Sequence, residues 1–541
     1  MTEVRALSSG QVARAALVVL LGFLASGVLG VVRTAAYSAS FGASAELDVF
    51  FGAQRIPELL FTLVAGGALG SAFIPVFTRF LGRNDADAWR LASAVMSWSA
   101  AATGLFGLVL AVTAPLYMPI LIADVPPEYQ QLAAHLAQWM LITTVIFSAS
   151  GLVMGILNAH QQFTLPALAI SMYNLGLIFG ALVLTRVIPT ESGPFAYASQ
   201  SGANVYGLAF GAILGALLHL AVQVPGLIRV RAKIRPLLRF DVEGSGRVLR
   251  LMLPRVLGLA VTQINFLVNV FFATRMSEGS NSAMNVAWFM MFFALGVIAQ
   301  SAGTAVFPTL SKLADANDLE GYSDRLVDAL RGVAFLAIPA SVGLIVLGGP
   351  VIALLFERGE WTSQATQATA WVLAFFALGM IGHAFLEILS RAFYALGDTR
   401  TPVAVGVMAL VANIVLSIVF IQFIGDPATI ERTPAAGLAL ANSVTTLLEA
   451  ALLWYLLGRR VPQLPTRRVV EMVARACAAA AVMGAVVAAA AALMSSQHTL
   501  VIVAICGLLG AAVYFVAAQL AGVHEARSIA SSIIRRVARR S

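Results

Sequence analysis

Three arginines in this sequence, Arg33, Arg55 and Arg255, fall inside long apolar runs. A charge at the centre of a membrane helix costs roughly 2.5–3.5 kcal/mol on insertion scales, so such residues face a cavity or a partner. Arg33 closes the run Gly27-Val-Leu-Gly-Val-Val32, and Arg55 stands two residues before Pro57. Asp48 lies about two helical turns ahead of Arg55, and Glu58 about one turn after it. That spacing predicts that Arg33, Asp48, Arg55 and Glu58 cluster on the outward half of the first two helices. The alternative for both arginines is an interfacial network in which they snorkel to headgroups. Arg255, one turn into the seventh apolar segment, suits an interface better than a ligand. Further along, His383, Glu387 and Arg391 fall at i, i+4 spacing on one helix face, while His219 and Glu449 are isolated polar groups within apolar segments.

None of these groups forms a catalytic constellation. The six histidines show no metal-ligand spacing, no P-loop occurs, and no stretch is polar and long enough for a soluble catalytic domain. Asp85 and Asp87 sit among Arg79, Arg83 and Arg90 as in a solvated turn. The two cysteines, Cys477 and Cys506, both lie in apolar runs, against a disulfide or a thiol-bound metal. The expectation is therefore a protein that is not an enzyme, with no cofactor and no metal.

The elements that must position the arginines follow from composition. Of 541 residues, 60% are hydrophobic and 11% charged, against roughly 45–50% and about 25% in soluble domains. The mean hydropathy is +0.88. The fold class is all-α polytopic membrane protein: about fourteen transmembrane helices, read as apolar runs between charge or Pro/Gly clusters from residue 15 to residue 521. With the N-terminus inside, 27 of the 34 basic residues fall on the cytoplasmic side and four outside, which places both termini in the cytoplasm. The charge of +8 thus reports topology rather than a nucleic-acid partner.

An internal repeat brackets the basic stretch Arg229–Arg250. Ala72-Phe-Ile-Pro-Val-Phe77 matches Ala305-Val-Phe-Pro-Thr-Leu310, and Asn158 through Pro166 matches Tyr394 through Pro402, at offsets of 233 and 236 residues. Two near-equal offsets imply two six-helix lobes in the same orientation, an arrangement used by transporters. The expected organisation is an N-terminal lobe at 1–230, a cytoplasmic linker at 231–250, a C-terminal lobe at 251–460, and two further helices with a basic tail at 461–541. Isoleucines and arginines at helical spacing in Ser528–Arg540 suit the anionic inner leaflet.

Ser26-Gly-Val-Leu-Gly-Val-Val-Arg33, Asp48-Val-Phe-Phe51, Arg55-Ile-Pro57 and Gly67-Ala-Leu-Gly-Ser-Ala-Phe-Ile-Pro75 together resemble the start of the MurJ (MviN) family of lipid II flippases. That family belongs to the multidrug/oligosaccharidyl-lipid/polysaccharide exporter superfamily. Gly155-Ile-Leu-Asn158, Gln263-Ile264, Pro308-Thr-Leu-Ser-Lys312 and Asp398-Thr-Arg-Thr-Pro402 extend the likeness over residues 10 to about 460. The resemblance implies a flippase that moves the peptidoglycan precursor lipid II from the inner to the outer leaflet by alternating access, in the bacterial plasma membrane. Its partners would be an undecaprenyl-pyrophosphate-linked glycopeptide as substrate, membrane lipids, and the cell-wall synthesis machinery. Arg33 and Asp48 match functional positions of the family; with Arg55, Glu58 and Arg255 they form the expected substrate-binding set.

The sequence departs from the family pattern where Gly27, Phe61, Thr62 and Phe289 replace cationic cavity positions, Thr34 replaces an aspartate, and Gly66 replaces an acidic residue. The sodium site seen in part of the family requires acidic ligands, where this chain offers mainly Asn269, Asn413 and Glu449. Three other readings stay open: a flippase for another polyprenyl-linked glycan, a cation or drug antiporter of the same superfamily, and a non-transporting scaffold paralogue.

Overall fold

A computed structural model of the chain describes residues 9–63, 70–239, 241–461 and 464–526; the side chains of 9–20, 23, 70, 71, 253–255, 257 and 258 are not described. The described residues form helices and connections without strands. They run α1 (Ser9–Phe41), α2 (Ala45–Phe61), α3 (Gly70–Leu81), α4 (Asp85–Leu121), α5 (Pro127–Met140), α6 (Ile142–Ala159), α7 (Thr164–Phe179), α8 (Thr185–Val187), α9 (Tyr206–Ala221) and α10 (Val224–Arg229). Then follow α11 (Ser245–Ala273), α12 (Ser280–Leu295), α13 (Ser301–Asp315), α14 (Leu319–Phe356), α15 (Ser363–Leu378), α16 (Met380–Ala395), α17 (Arg400–Phe420), α18 (Ala435–Gly458), α19 (Thr466–Leu493) and α20 (Thr499–Leu520).

Local sequence sets several boundaries. Ser44 accepts a hydrogen bond from the Leu47 amide, and Glu46 and Asp48 fill the first turn of α2, where the helix dipole favours negative charge. Asn84 and Asp318 cap α4 and α14 in the same way. Glycines let α7 and α9 touch backbone to backbone: a Cβ at Gly176 would lie 2.3 Å from the Gly215 Cα, the small-residue contact that packs membrane helices. Between α15 and α16 the axis bends by 45°. Ser443 Oγ satisfies the Phe375 and Phe376 carbonyls beside that bend, as a freed backbone group in a membrane requires.

The repeat appears in the elements themselves. Ala159 and Ala395 end α6 and α16, and Thr164 and Arg400 begin α7 and α17, each pair 236 residues apart. Ten helical segments among the described residues are long and apolar enough to cross a membrane, and eleven if the bent α15–α16 pair is one span. The three remaining expected spans coincide with α1, with α2 and α3, and with α11. Residues 64–69, which hold the Gly66-Gly67 motif, and the tail from 527 onward lie outside what is described.

The chain divides into two compact units: one running to Ser282 together with Arg358–Thr362, the other comprising Ala283–Glu357 and the chain from Ser363. The sequence repeat assigns α11 to the second lobe, but α11 packs on α2, α3 and α4 of the first unit. The first unit has an aromatic core in which Phe73, Phe77, Trp89 and His160 stack. Its extended strip 231–239 is held on α4, where the Arg235 and Leu237 amides donate to Ser93 and Ser97. Ala232 and Ile234 pack inward, and Arg231, Lys233 and Arg235 point out. In the second unit, α14 packs against α15, α16, α19 and α20, and Tyr322 donates to the Ala392 carbonyl at 2.7 Å.

Candidate functional site

Within the first unit, Arg33 and Ser26 stand two turns apart on one face of α1, and Asn174 of α7 reaches both. Arg33 Nη1 donates to Asn174 Oδ1 at 3.2 Å, and Asn174 Nδ2 donates to Ser26 Oγ at 3.2 Å. The guanidinium also lies 6.0 Å from the centre of the Tyr37 ring. Arg33 is thus held within α1 by an amide and an aromatic face, half-buried rather than sealed. A cation so oriented offers a planar donor fork to an anionic ligand.

Arg55 and Glu58 form an ion pair at 2.8 Å, with side chains 14% and 43% exposed. The Arg55 guanidinium also lies 4.7 Å from the centre of the Phe266 ring on α11, a cation–π contact. Tyr173, edge-on to Phe147 at 5.1 Å, stands within electrostatic reach of both Arg33 and Glu58. Arg55, Glu58 and Phe266 thus form a contact group within the first unit, as Arg33 and Asn174 do.

Asp48 does not join it. Its carboxylate is buried and accepts from the Gly279 amide at 2.9 Å and from the Ser282 amide and hydroxyl, both at 2.6 Å. Asn281 donates to the Asp48 carbonyl, and the Ala45 amide donates to Glu278. Nearby, Glu46 accepts from Gln200 and Ser201. Of the four residues expected to cluster, Asp48 lies on the same face of α2 as Arg55 but two turns, about 10 Å, away along the helix, where its carboxylate meets residues 279–282. The side chain of Arg255 is outside the described set.

At positions where the family resemblance expects charged residues, neutral contacts stand instead. Phe61 packs on Phe147 with ring centres 4.6 Å apart, Gln263 donates to Thr62 Oγ1 at 3.0 Å, and Thr34 bonds the Gly30 carbonyl. His219 is a core residue, bonded to Ser150 at 2.6 Å and beside Gln223.

In the second unit the expected His383–Glu387–Arg391 face separates into two. Arg391 pairs with Glu387 and donates to Thr304, whereas His383 bonds Asn442 at 3.0 Å and lies against Trp288 and Phe292. Phe289 lies near Phe293, and Asn413 donates to Thr445. Among the described residues no group of three or more His, Cys, Asp or Glu could hold a metal ion.

Sequence reasoning did not single out Asn174, Tyr173 or the 278–282 turn. Asn174 carried a usable signal, as an amide within the apolar run 164–187; the turn carried none, because its partner lies more than 230 residues away.

A multi-pass helical membrane chain with a duplicated helix pattern and a half-buried cation in its first unit is a transporter of the multidrug and lipid exporter type. The solved structure of a lipid II flippase MurJ in an inward closed conformation superposes with a TM-score of 0.76 at 23% identity, covering 93% of this chain and 98% of that one. An inward-facing MATE family multidrug transporter superposes at 0.66 and 15% identity, covering 82% and 96%. The family model described as lipid II flippase MurJ matches residues 37–509. A lipid II flippase MurJ of Burkholderia cenocepacia is 30% identical over 522 residues, covering 92% of this chain and 96% of its own. The chain belongs to the MurJ family.

Proposed function

We propose that this chain flips lipid II, the undecaprenyl-pyrophosphate-linked peptidoglycan precursor, from the inner to the outer leaflet of the bacterial plasma membrane, with both termini cytoplasmic and no catalytic step. The observation that carries the reading is the half-buried Arg33 of the apolar helix α1, oriented by Asn174 and Tyr37 in a chain that belongs to the MurJ family. Arg33, with the Arg55–Glu58 pair beside Tyr173, would receive the pyrophosphate. Charge-assisted contacts of guanidinium with phosphate are short, directional and often bidentate. Alternating access of two repeat-related lobes would then carry the headgroup across while the tail stays in lipid. Moving one charge through 100 mV is worth about 2.3 kcal/mol, so the membrane potential can contribute. Asp48, bound to the 278–282 turn, would hold α2 in place rather than touch substrate. Cell-wall synthesis enzymes would take the product.

Complementation of a bacterium depleted of its own lipid II flippase tests the reading: rescue supports it, and failure of a membrane-inserted, stably expressed chain sinks it. Cysteine labelling tests the orientation, with positions 124 and 128 accessible from outside and 235 only from inside. The neutral packing of Phe61 and Thr62 favours one second reading, a flippase for another polyprenyl-linked glycan. Failure to rescue combined with transport of a different lipid-linked sugar in vesicles would select it.

A further inference from the structure

In the second unit, α14, α19 and the residues that follow α20 form a charged pocket that the transport reading does not use. Arg331 of α14, Arg468 and Arg475 of α19, and His524 after α20 line a cavity of about 130 Å³. Arg331 pairs with Glu525 at 2.8 Å, and Glu471 lies 2.6 Å from Arg467 and 4.0 Å from Arg475. Four arginines thus share two glutamates, and Arg468 and Arg475 remain exposed.

The same three helices form an apolar groove of about 360 Å³, lined by Phe335, Leu347, Met483, Gly507 and Phe515 among others. Phe335 is one turn, about 6 Å, along α14 from Arg331, and Met483 about 12 Å along α19 from Arg475. Within the groove, Tyr514 donates to the Phe335 carbonyl at 2.9 Å, which ties α20 to α14. Arg331 and Arg475 immediately precede the apolar stretches of their helices, which puts the pocket at headgroup level and the groove at acyl-chain level.

We propose that this is a binding site for a resident anionic phospholipid of the cytoplasmic leaflet, with its phosphate against Arg331, Arg468 and Arg475 and an acyl chain in the groove. Two observations select this occupant: the net positive charge of the pocket, and the placement of charged pocket and apolar groove at successive levels of the same three helices. The tail that follows residue 526 is itself basic, so its charge does not suit the pocket. The leaflet assignment rests on the basic-residue topology; the binding does not depend on what the protein transports.

The test is native mass spectrometry of the full-length, delipidated protein in detergent, titrated with dioleoyl phosphatidylglycerol or dioleoyl phosphatidylcholine. The anionic phosphatidylglycerol is expected to bind preferentially, and R468Q/R475Q to weaken it by roughly tenfold or more, while R468K/R475K keeps most of the binding. A Cβ at Gly507 meets no atom within 4 Å, so Gly507→Leu fits and is expected to weaken the dioleoyl lipid while sparing dihexanoyl phosphatidylglycerol. Equal binding of the two headgroups, unchanged binding by R468Q/R475Q, or unchanged dioleoyl binding by Gly507→Leu would overturn the proposal. Complete displacement of the lipid by millimolar inorganic phosphate would also do so, since it would make the pocket a free-anion site.

Discussion

Arg33 and Asp48 are neighbours in sequence and opposites in setting. Asp48 is enclosed, with three donors from the 279–282 turn fixing its carboxylate. Arg33 is half-buried, held by a side-chain amide and the face of a ring. A buried charge fastened by backbone amides cannot change partners without unfolding a turn, and its removal costs stability. A cation steadied by one amide can trade that contact for a ligand, and its removal costs binding. The contrast separates anchoring from function among charges that look alike as letters in an apolar run.

The sharpest way to break the comparison is Arg33→Ala. A charge-assisted hydrogen bond in a desolvated cavity contributes roughly 1.5–3 kcal/mol, or about 10- to 150-fold in affinity. Complementation should therefore fail or fall steeply while membrane abundance stays near wild type. Arg33→Lys should recover only part, because an ammonium lacks the bidentate fork, and the exposed control Arg83→Ala should do little. Wild-type flipping by Arg33→Ala, or failure only through degradation, would make Arg33 structural and erase the contrast.

Asp48→Asn tests the other side. An amide keeps one acceptor oxygen but turns an NH₂ toward donors that need an acceptor, so a loss of about 1–3 kcal/mol is expected. It should appear as a lower melting temperature in detergent, with substrate affinity in the folded fraction unchanged. Weakened affinity at unchanged stability would move Asp48 into the site. Glu58→Gln should act more mildly: its carboxylate is 43% exposed, so the pair contributes little to stability. Freeing Arg55 is expected to shift transport by no more than a few-fold, read in a vesicle assay.

The same contrast explains what the sequence made legible. Helices, the duplicated pattern and the in-span arginines follow from hydropathy and charge, which are local properties. The 234-residue separation of Asp48 from Ser282 is not local, and nothing in Val49 to Phe51 says which way Asp48 turns. Arg331, Arg468 and Arg475 were equally hidden, because each alone reads as an ordinary cytoplasmic positive charge and only the packing of α14 on α19 and α20 brings them together. Phe61 shows the reverse case: its departure from the family pattern was visible in the sequence, and the structure adds its contact with Phe147.

The mildest effect belongs to a fixed carboxylate outside the membrane. Asp398, in the turn before α17, accepts from the Arg400 and Thr401 amides and the Thr401 hydroxyl, and pairs with Arg460 at 2.7 Å. Burial pushes its carboxyl up, but the hydrogen bonds from Thr401 and Arg400 and the Arg460 charge outweigh it, leaving the group below the usual carboxylate range. A carboxylate whose folded pKa is depressed contributes stability above its unfolded pKa and loses it as pH falls through the folded value. Melting temperature should thus decline on acidification across and below the ordinary aspartate range, and Asp398→Asn should remove that part of the slope while costing a little stability at neutral pH. Because Asp398 makes none of the contacts that hold Arg33, flipping per folded molecule should not change. An unchanged acid slope in Asp398→Asn would show that the cap is not what the carboxylate stabilises.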